Sequence, residues 1–155
     1  ITAESQTELA STLIDSLISE KRIQYREFKD LQINLELKNS CEAFIFVNSK
    51  EFKRVLSNLI NNSVEAMPQN KGIIDVSILI NQSDILKNIP TVEINIKDNG
   101  KGMATENLNK LNTSKGIKLA KERIALFQFY TDNAVTISST STGTTVVLKL
   151  QAINI

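Results

Sequence analysis

The chain has 155 residues, 41% of them apolar and 23% charged, which is sufficient apolar material for the core of one globular domain. Its 18 basic and 17 acidic side chains nearly cancel to +1, excluding the dense basic surface of an electrostatic nucleic-acid binder. No apolar run approaches the roughly 20 residues that cross a bilayer, and the one cysteine, Cys41, cannot close an internal disulfide, so a reducing compartment is expected. The chain opens at Ile1 without an initiating Met or a signal peptide, so it is expected to be a piece of a longer protein, and it contains no histidine.

From Glu4 to about Lys29 neither Gly nor Pro interrupts the chain. Leu9, Leu13, Ile14, Leu17 and Ile18 recur at helical spacing there, predicting a long helix. "LQINLELK" (31–38) alternates apolar and polar residues as a strand does, and "AFIFV" (43–47) reads as a second strand. Asn48 or Ser49 can cap a helix running from about Lys50 to Met67, stopped by Pro68. "IIDVSILI" (73–80) and "TVEINIKD" (91–98) are strands joined by a polar loop ending at Pro90. A short helical stretch is predicted at 105–111 and a helix at about 117–129, and "AVTISST" and "TTVVLKL" form a closing hairpin. The sum is an α+β two-layer sandwich, its helices covering one face of the sheet.

The helix from Lys50 to Met67 has an unusual polar side. At about 100° per residue, Phe52, Val55, Leu56, Leu59, Ile60, Ser63, Val64 and Met67 share one face, and Arg54, Asn58, Asn61, Asn62 and Glu65 share the other. A solvated polar face is the plain explanation. Solvent faces generally favour Lys, Glu, Gln and Ala, however, because the asparagine amide competes for backbone hydrogen bonds. Amide oxygens beside a carboxylate instead make a hard-oxygen surface, which suits Mg²⁺ carrying substrate phosphates.

A second unusual segment is "IKDNGKGM", where a strand runs into Asp98 and then a turn with glycines at 100 and 102. Glycines at alternate positions permit close backbone approach to a flat ligand. Asp98 is an acceptor suited to an exocyclic amine such as that of adenine. An ordinary Asp-Asn-Gly turn is the alternative. Neither the P-loop pattern nor the dinucleotide pattern GxGxxG occurs, so a nucleotide would have to be held another way. "GTTVVLKL" places Gly143 and Thr144 at the start of the last strand.

Together these segments resemble the GHKL ATPase/kinase superfamily, which includes sensor histidine kinases, DNA gyrase B, the Hsp90 chaperones and MutL. "EFKRVLSNLINNSVEAM" is similar to the N box of histidine kinases and "DNGKGM" to the G1 box. "SKGIKLAKERIALF" is similar to the segment after the ATP lid and "GTTVVLKL" to the closing box. The resemblance covers nearly the whole chain and implies the Bergerat fold, a mixed, mostly antiparallel sheet with helices on one face. Residues 1–29 resemble the C-terminal end of a dimerisation helix and its linker, leaving 30–155 as the ATP-binding catalytic domain.

The resemblance also implies residue roles. Asn62 matches the asparagine that binds Mg²⁺, Asn58 the one a turn earlier, and Glu65 a nearby position facing phosphates or metal. Asp98 matches the adenine-reading aspartate, Gly100, Gly102 and Met103 the turn at the base, and Thr144 the threonine that supports the aspartate. Lys115 and Gly116 match the phosphate-lining segment, where family members carry several alternating glycines and this chain keeps one. The segment between Met103 and Ser114 is a short lid. ATP-hydrolysing members carry a glutamate general base where this chain has Asn58, so the resemblance implies phosphotransfer over hydrolysis. It implies ATP and Mg²⁺ as ligands, a histidine-bearing dimerisation domain as phosphate acceptor, and a response regulator downstream. It implies no nucleic acid, no membrane contact from this segment, and a cytoplasmic domain of a parent that membrane anchoring would suit. Two other readings are a nucleotide-binding regulatory module that transfers nothing and an ATP-hydrolysing machine fragment.

Overall fold

The computed structural model describes residues 4–38, 43–81, 90–100, 122 and 135–153. A five-stranded sheet is built from β2 (Leu31–Leu37), β4 (Gly72–Asn81), β5 (Thr91–Asp98), β6 (Val135–Thr140) and β7 (Gly143–Gln151). Its order is β2-β4-β5-β7-β6, with β2 and β4 parallel and the other pairings antiparallel. Side chains alternate across a strand. Ile74, Val76 and Ile78 of β4, Val92, Ile94 and Ile96 of β5, and Val146, Leu148 and Leu150 of β7 are accordingly all buried. Asp75 and Lys97, on the alternate positions, are exposed.

Two helices supply the matching layer. Ala10, Ile14, Leu17 and Ile18 from α1 (Ala10–Gln24) join the strand residues in one hydrophobic cluster. Phe52, Val55, Leu56, Leu59, Ile60 and Val64 from α2 (Ser49–Glu65) join the same cluster. The spacing in each helix is the period-3.6 stripe seen in the sequence. Asn48 caps α2, its Oδ1 accepting from Glu51 N at 2.9 Å. The helix ends two residues earlier than expected because Met67, preceding Pro68, is extended (φ −80°, ψ 122°), as the proline ring requires of its neighbour.

The amino-terminal segment differs from expectation. Gln6–Leu9 is a strand, β1, paired antiparallel with β3 (Phe44–Val47) from Gln6↔Val47 to Leu9↔Phe44, and the helix begins only at Ala10. The ladder to β3 offers these residues backbone partners that a local reading cannot see. α1 lies in the same core as the sheet, with Tyr25 and Phe28 packed against it. The carboxyl end returns to the small sheet, where Ile153 N donates to Phe44 O at 2.8 Å. The helices expected at 105–111 and 117–129 lie outside the described residues. Among the described residues, no helix is long and apolar enough to cross a membrane.

Candidate functional site

The alternation of β5 turns its last residue, Asp98, toward the helix layer, and Asp98 is only 3% exposed. One carboxylate oxygen, Oδ1, accepts from Gly100 N at 3.0 Å and from Thr144 N at 3.4 Å. The other has no protein partner among the described residues. The pairing follows from register, since Asp98 and Thr144 are direct cross-strand partners. Gly143 makes the approach possible. Its φ is +146°, and a Cβ there would lie 1.9 Å from Asp98 O. The Thr144 hydroxyl engages Ser139 Oγ at 3.1 Å, so this residue meets Asp98 through its backbone N–H.

Gly100 joins this corner to the end of α2. A Cβ on Gly100 would meet Asp98 Oδ1 at 3.0 Å and Ala66 O at 3.1 Å. The tight fit therefore sets the Asp98 turn against the last turn of the asparagine helix. Asn99 extends the β4–β5 pairing by one residue, its Oδ1 accepting from Ile73 N at 2.7 Å.

The polar face of α2 divides into three parts. Arg54 pairs with Glu51 at 3.3 Å. Asn61 turns to α1, where its Oδ1 accepts from Lys21 Nζ at 2.8 Å and from Tyr25 OH at 2.6 Å. Asn58, Asn62 and Glu65, at i, i+4 and i+7, are exposed and make no side-chain hydrogen bond or ion pair among the described residues. These three share one helical face that ends beside the Asp98 corner. Gly102, Met103, Lys115, Gly116 and the short lid lie outside the described residues.

Lys21 and Tyr25 are the residues that sequence reasoning missed. Burial pushes the Lys21 ammonium below the ordinary lysine value, against the opposing charge of Glu20. Burial, and secondarily the charge of Glu65, push the Tyr25 phenol up. A signal was present: Lys21 falls three residues after Ile18, where the buried stripe of α1 calls for another apolar residue.

The chemistry open to this arrangement is specific. A buried carboxylate oxygen without a partner can accept from a ligand amine, at the position where two backbone N–H groups already hold its twin. Adjacent amide oxygens without partners can coordinate a hard cation.

Residues 47–154 match the family described as histidine kinase-, DNA gyrase B- and HSP90-like ATPase. A curated relative, sporulation kinase B of Bacillus subtilis (strain 168), is 31% identical over 137 residues. That match takes in 84% of this chain and 30% of the relative, so the chain spans less than a third of its length. Among solved structures, the nucleotide-free catalytic domain of the histidine kinase ThkA superposes with a TM-score of 0.73 at 17% identity, covering 96% of each chain. ThkA in complex with the response regulator protein TrrA superposes with a TM-score of 0.70 at 16% identity, covering 96% of this chain and 42% of that one. At these identities the structures establish a shared fold.

Proposed function

The chain belongs to the histidine kinase-, DNA gyrase B- and HSP90-like ATPase family, and from that premise we propose that it is the ATP-binding catalytic domain of a sensor histidine kinase. The observation that carries the reading is the Asp98 corner. A buried carboxylate has one oxygen held by two backbone N–H groups and the other without a partner among the described residues, beside the end of a helix presenting Asn58 and Asn62. In this reading the second Asp98 oxygen accepts from the exocyclic amine of adenine, and Gly100 lets the turn that carries it close against the end of α2. Asn62, with Asn58 a turn before it, offers amide oxygens to Mg²⁺ on the ATP phosphates, and Glu65 borders the same face. The metal, when bound, neutralises phosphate charge. The chain's own residues orient the phosphates and the base. Gly102, Met103, Lys115 and Gly116 would complete the nucleotide site.

Phosphotransfer fits this chain better than hydrolysis. Asn58 lacks the basicity needed to deprotonate an attacking water, whereas a kinase receives its nucleophile with the acceptor. With no histidine in its sequence, the chain must pass the γ-phosphate to a histidine on a separate dimerisation domain. A response regulator is the proposed next partner, as in the ThkA–TrrA complex, and the cytoplasm is the proposed location.

Titration calorimetry with an ATP analogue, with and without Mg²⁺, tests the binding half. Magnesium-dependent binding near 1 μM, about −8 kcal/mol, is expected. Labelled γ-phosphate should then appear as acid-labile phosphohistidine on a histidine-bearing helical domain supplied as a separate polypeptide. Binding without transfer would reduce the chain to a nucleotide-binding module, and no binding at millimolar nucleotide would overturn the site.

A further inference from the structure

The buried stripe of α1 runs through Ala10, Ile14, Leu17 and Ile18, and its next member is a lysine. Lys21 is 4% exposed, yet among the described residues it has no carboxylate within ion-pair distance and donates only to amide oxygens. One is Gln24 Oε1 at 2.9 Å, on its own helix, and the other is Asn61 Oδ1 at 2.8 Å, on α2. Tyr25 OH donates to that same Asn61 oxygen at 2.6 Å, and the Lys21 ammonium lies 5.9 Å from the Tyr25 ring centroid. An amide oxygen has two lone pairs. Both are taken by donors from the other helix, so Asn61 is held from one side by two bonds.

Burying an ammonium among neutral acceptors is costly, and an aliphatic residue usually packs such a position as well or better. Packing alone therefore does not account for Lys21. The bonds add a polar tie between α1 and α2 on the side of the helix that the apolar stripe leaves open. Asn61 immediately precedes Asn62 and follows Asn58 by three residues, so turning the helix about its axis would break both bonds and move both asparagines. A second tie, from Lys53 to Glu20 at 2.9 Å, lies two turns earlier on α2 and exposes its carboxylate, so it constrains the helix less.

We propose that Lys21 and Tyr25 are positioning residues for the metal-binding face of α2, their clamp on Asn61 holding Asn58 and Asn62 at the angle that lets both face one metal–phosphate group. The inference rests on the proposed reading of that face. The hydrogen bonds that hold the Asp98 carboxylate come from Gly100 and Thr144, not from the clamp residues, and the corner meets α2 only at its last turn, beside Ala66. Loss of the clamp should therefore separate metal-dependent from base-dependent affinity.

The test is calorimetry of the wild-type chain, Lys21→Met and Tyr25→Phe, each with Mg-ATP analogue and with Mg-free ADP, alongside thermal unfolding. Each variant should lose about tenfold in Mg-ATP affinity, equivalent to about 1.4 kcal/mol, and less than about twofold for Mg-free ADP. Unchanged Mg-ATP affinity in both variants would overturn the inference and leave the site reading standing. Equal losses for both ligands, tracking a lowered unfolding temperature, would also overturn it, because the clamp would then be structural only. A wild-type chain with no magnesium-dependent binding would overturn the site reading and this inference together. Should Lys21→Met fail to fold, Tyr25→Phe, which removes one oxygen, decides alone.

Discussion

Asp98→Asn and Asp98→Ala, made side by side, separate what the carboxyl group does for the fold from what it does for the nucleotide. In the alanine variant, Gly100 N–H and Thr144 N–H lose their common acceptor in a buried corner. An orphaned buried donor costs about 1–3 kcal/mol. The 3.0 Å bond from Gly100 should weigh more than the 3.4 Å bond from Thr144. A total of about 2–4 kcal/mol follows, which at about 2–4 °C per kcal/mol lowers the unfolding temperature by about 5–15 °C. In the asparagine variant the amide oxygen can take over both N–H groups, so stability should stay within about 1 kcal/mol of wild type. The new NH₂ then stands where the free carboxylate oxygen stood and opposes a ligand amine, donor against donor. Losing a hydrogen bond to a charged group costs about 1.5–3 kcal/mol, or about 10- to 150-fold in affinity. Thermal unfolding and ADP calorimetry on both variants read the two effects independently. The reasoning is refuted if Asp98→Ala unfolds at the wild-type temperature, or if Asp98→Asn binds ADP as tightly as wild type.

Gly143→Ala places a Cβ 1.9 Å from Asp98 O at a φ of +146°. Strain and overpacking should cost about 3 kcal/mol, lowering the unfolding temperature by about 6–12 °C, and ADP binding should weaken as Thr144 shifts; an unaltered melting curve would contradict this. Asn48→Ala removes the 2.9 Å cap on Glu51 N. It should destabilise by about 1 kcal/mol with nucleotide affinity unchanged, since the cap lies at the far end of α2 from the Asp98 corner. For pH dependence, Lys21 has a depressed folded pKa. Its favourable contribution is therefore present above the unfolded value of 10.5 and lost as pH falls through the folded value. Wild type should gain stability relative to Lys21→Met as pH rises toward the unfolded lysine value of 10.5. A pH-independent difference in denaturant midpoints would be inconsistent with that burial.

Most element types were legible because they rest on local rules. Thr91–Asp98 could be read residue for residue from alternation, and α2 from its apolar stripe, the cap residue Asn48 and the stop at Pro68. The asparagines and Asp98 stood out because their side chains contradict what an ordinary solvent face or turn requires. Local reading failed at Gln6–Leu9, whose strand character comes from β3 about forty residues away. It failed again at Asn61, which shares a helical face with Asn58 and Asn62 on a wheel but is claimed by α1.

The sequence alone determined the period of each element, the breaks between most of them, and the oxygen-rich chemistry of the asparagine face and the Asp98 turn. These depend on residue type and on spacings of a few positions, and they survive without knowledge of any partner. The tertiary structure decided which Asp98 oxygen is left to accept, how Gly143 lets β7 meet β5, and that a buried lysine and a tyrosine hold the asparagine helix from behind. Those outcomes depend on pairings between residues 36 to 46 positions apart. Separations of that size carry no local periodic signal, because only burial and cross-strand register bring such residues within hydrogen-bond distance.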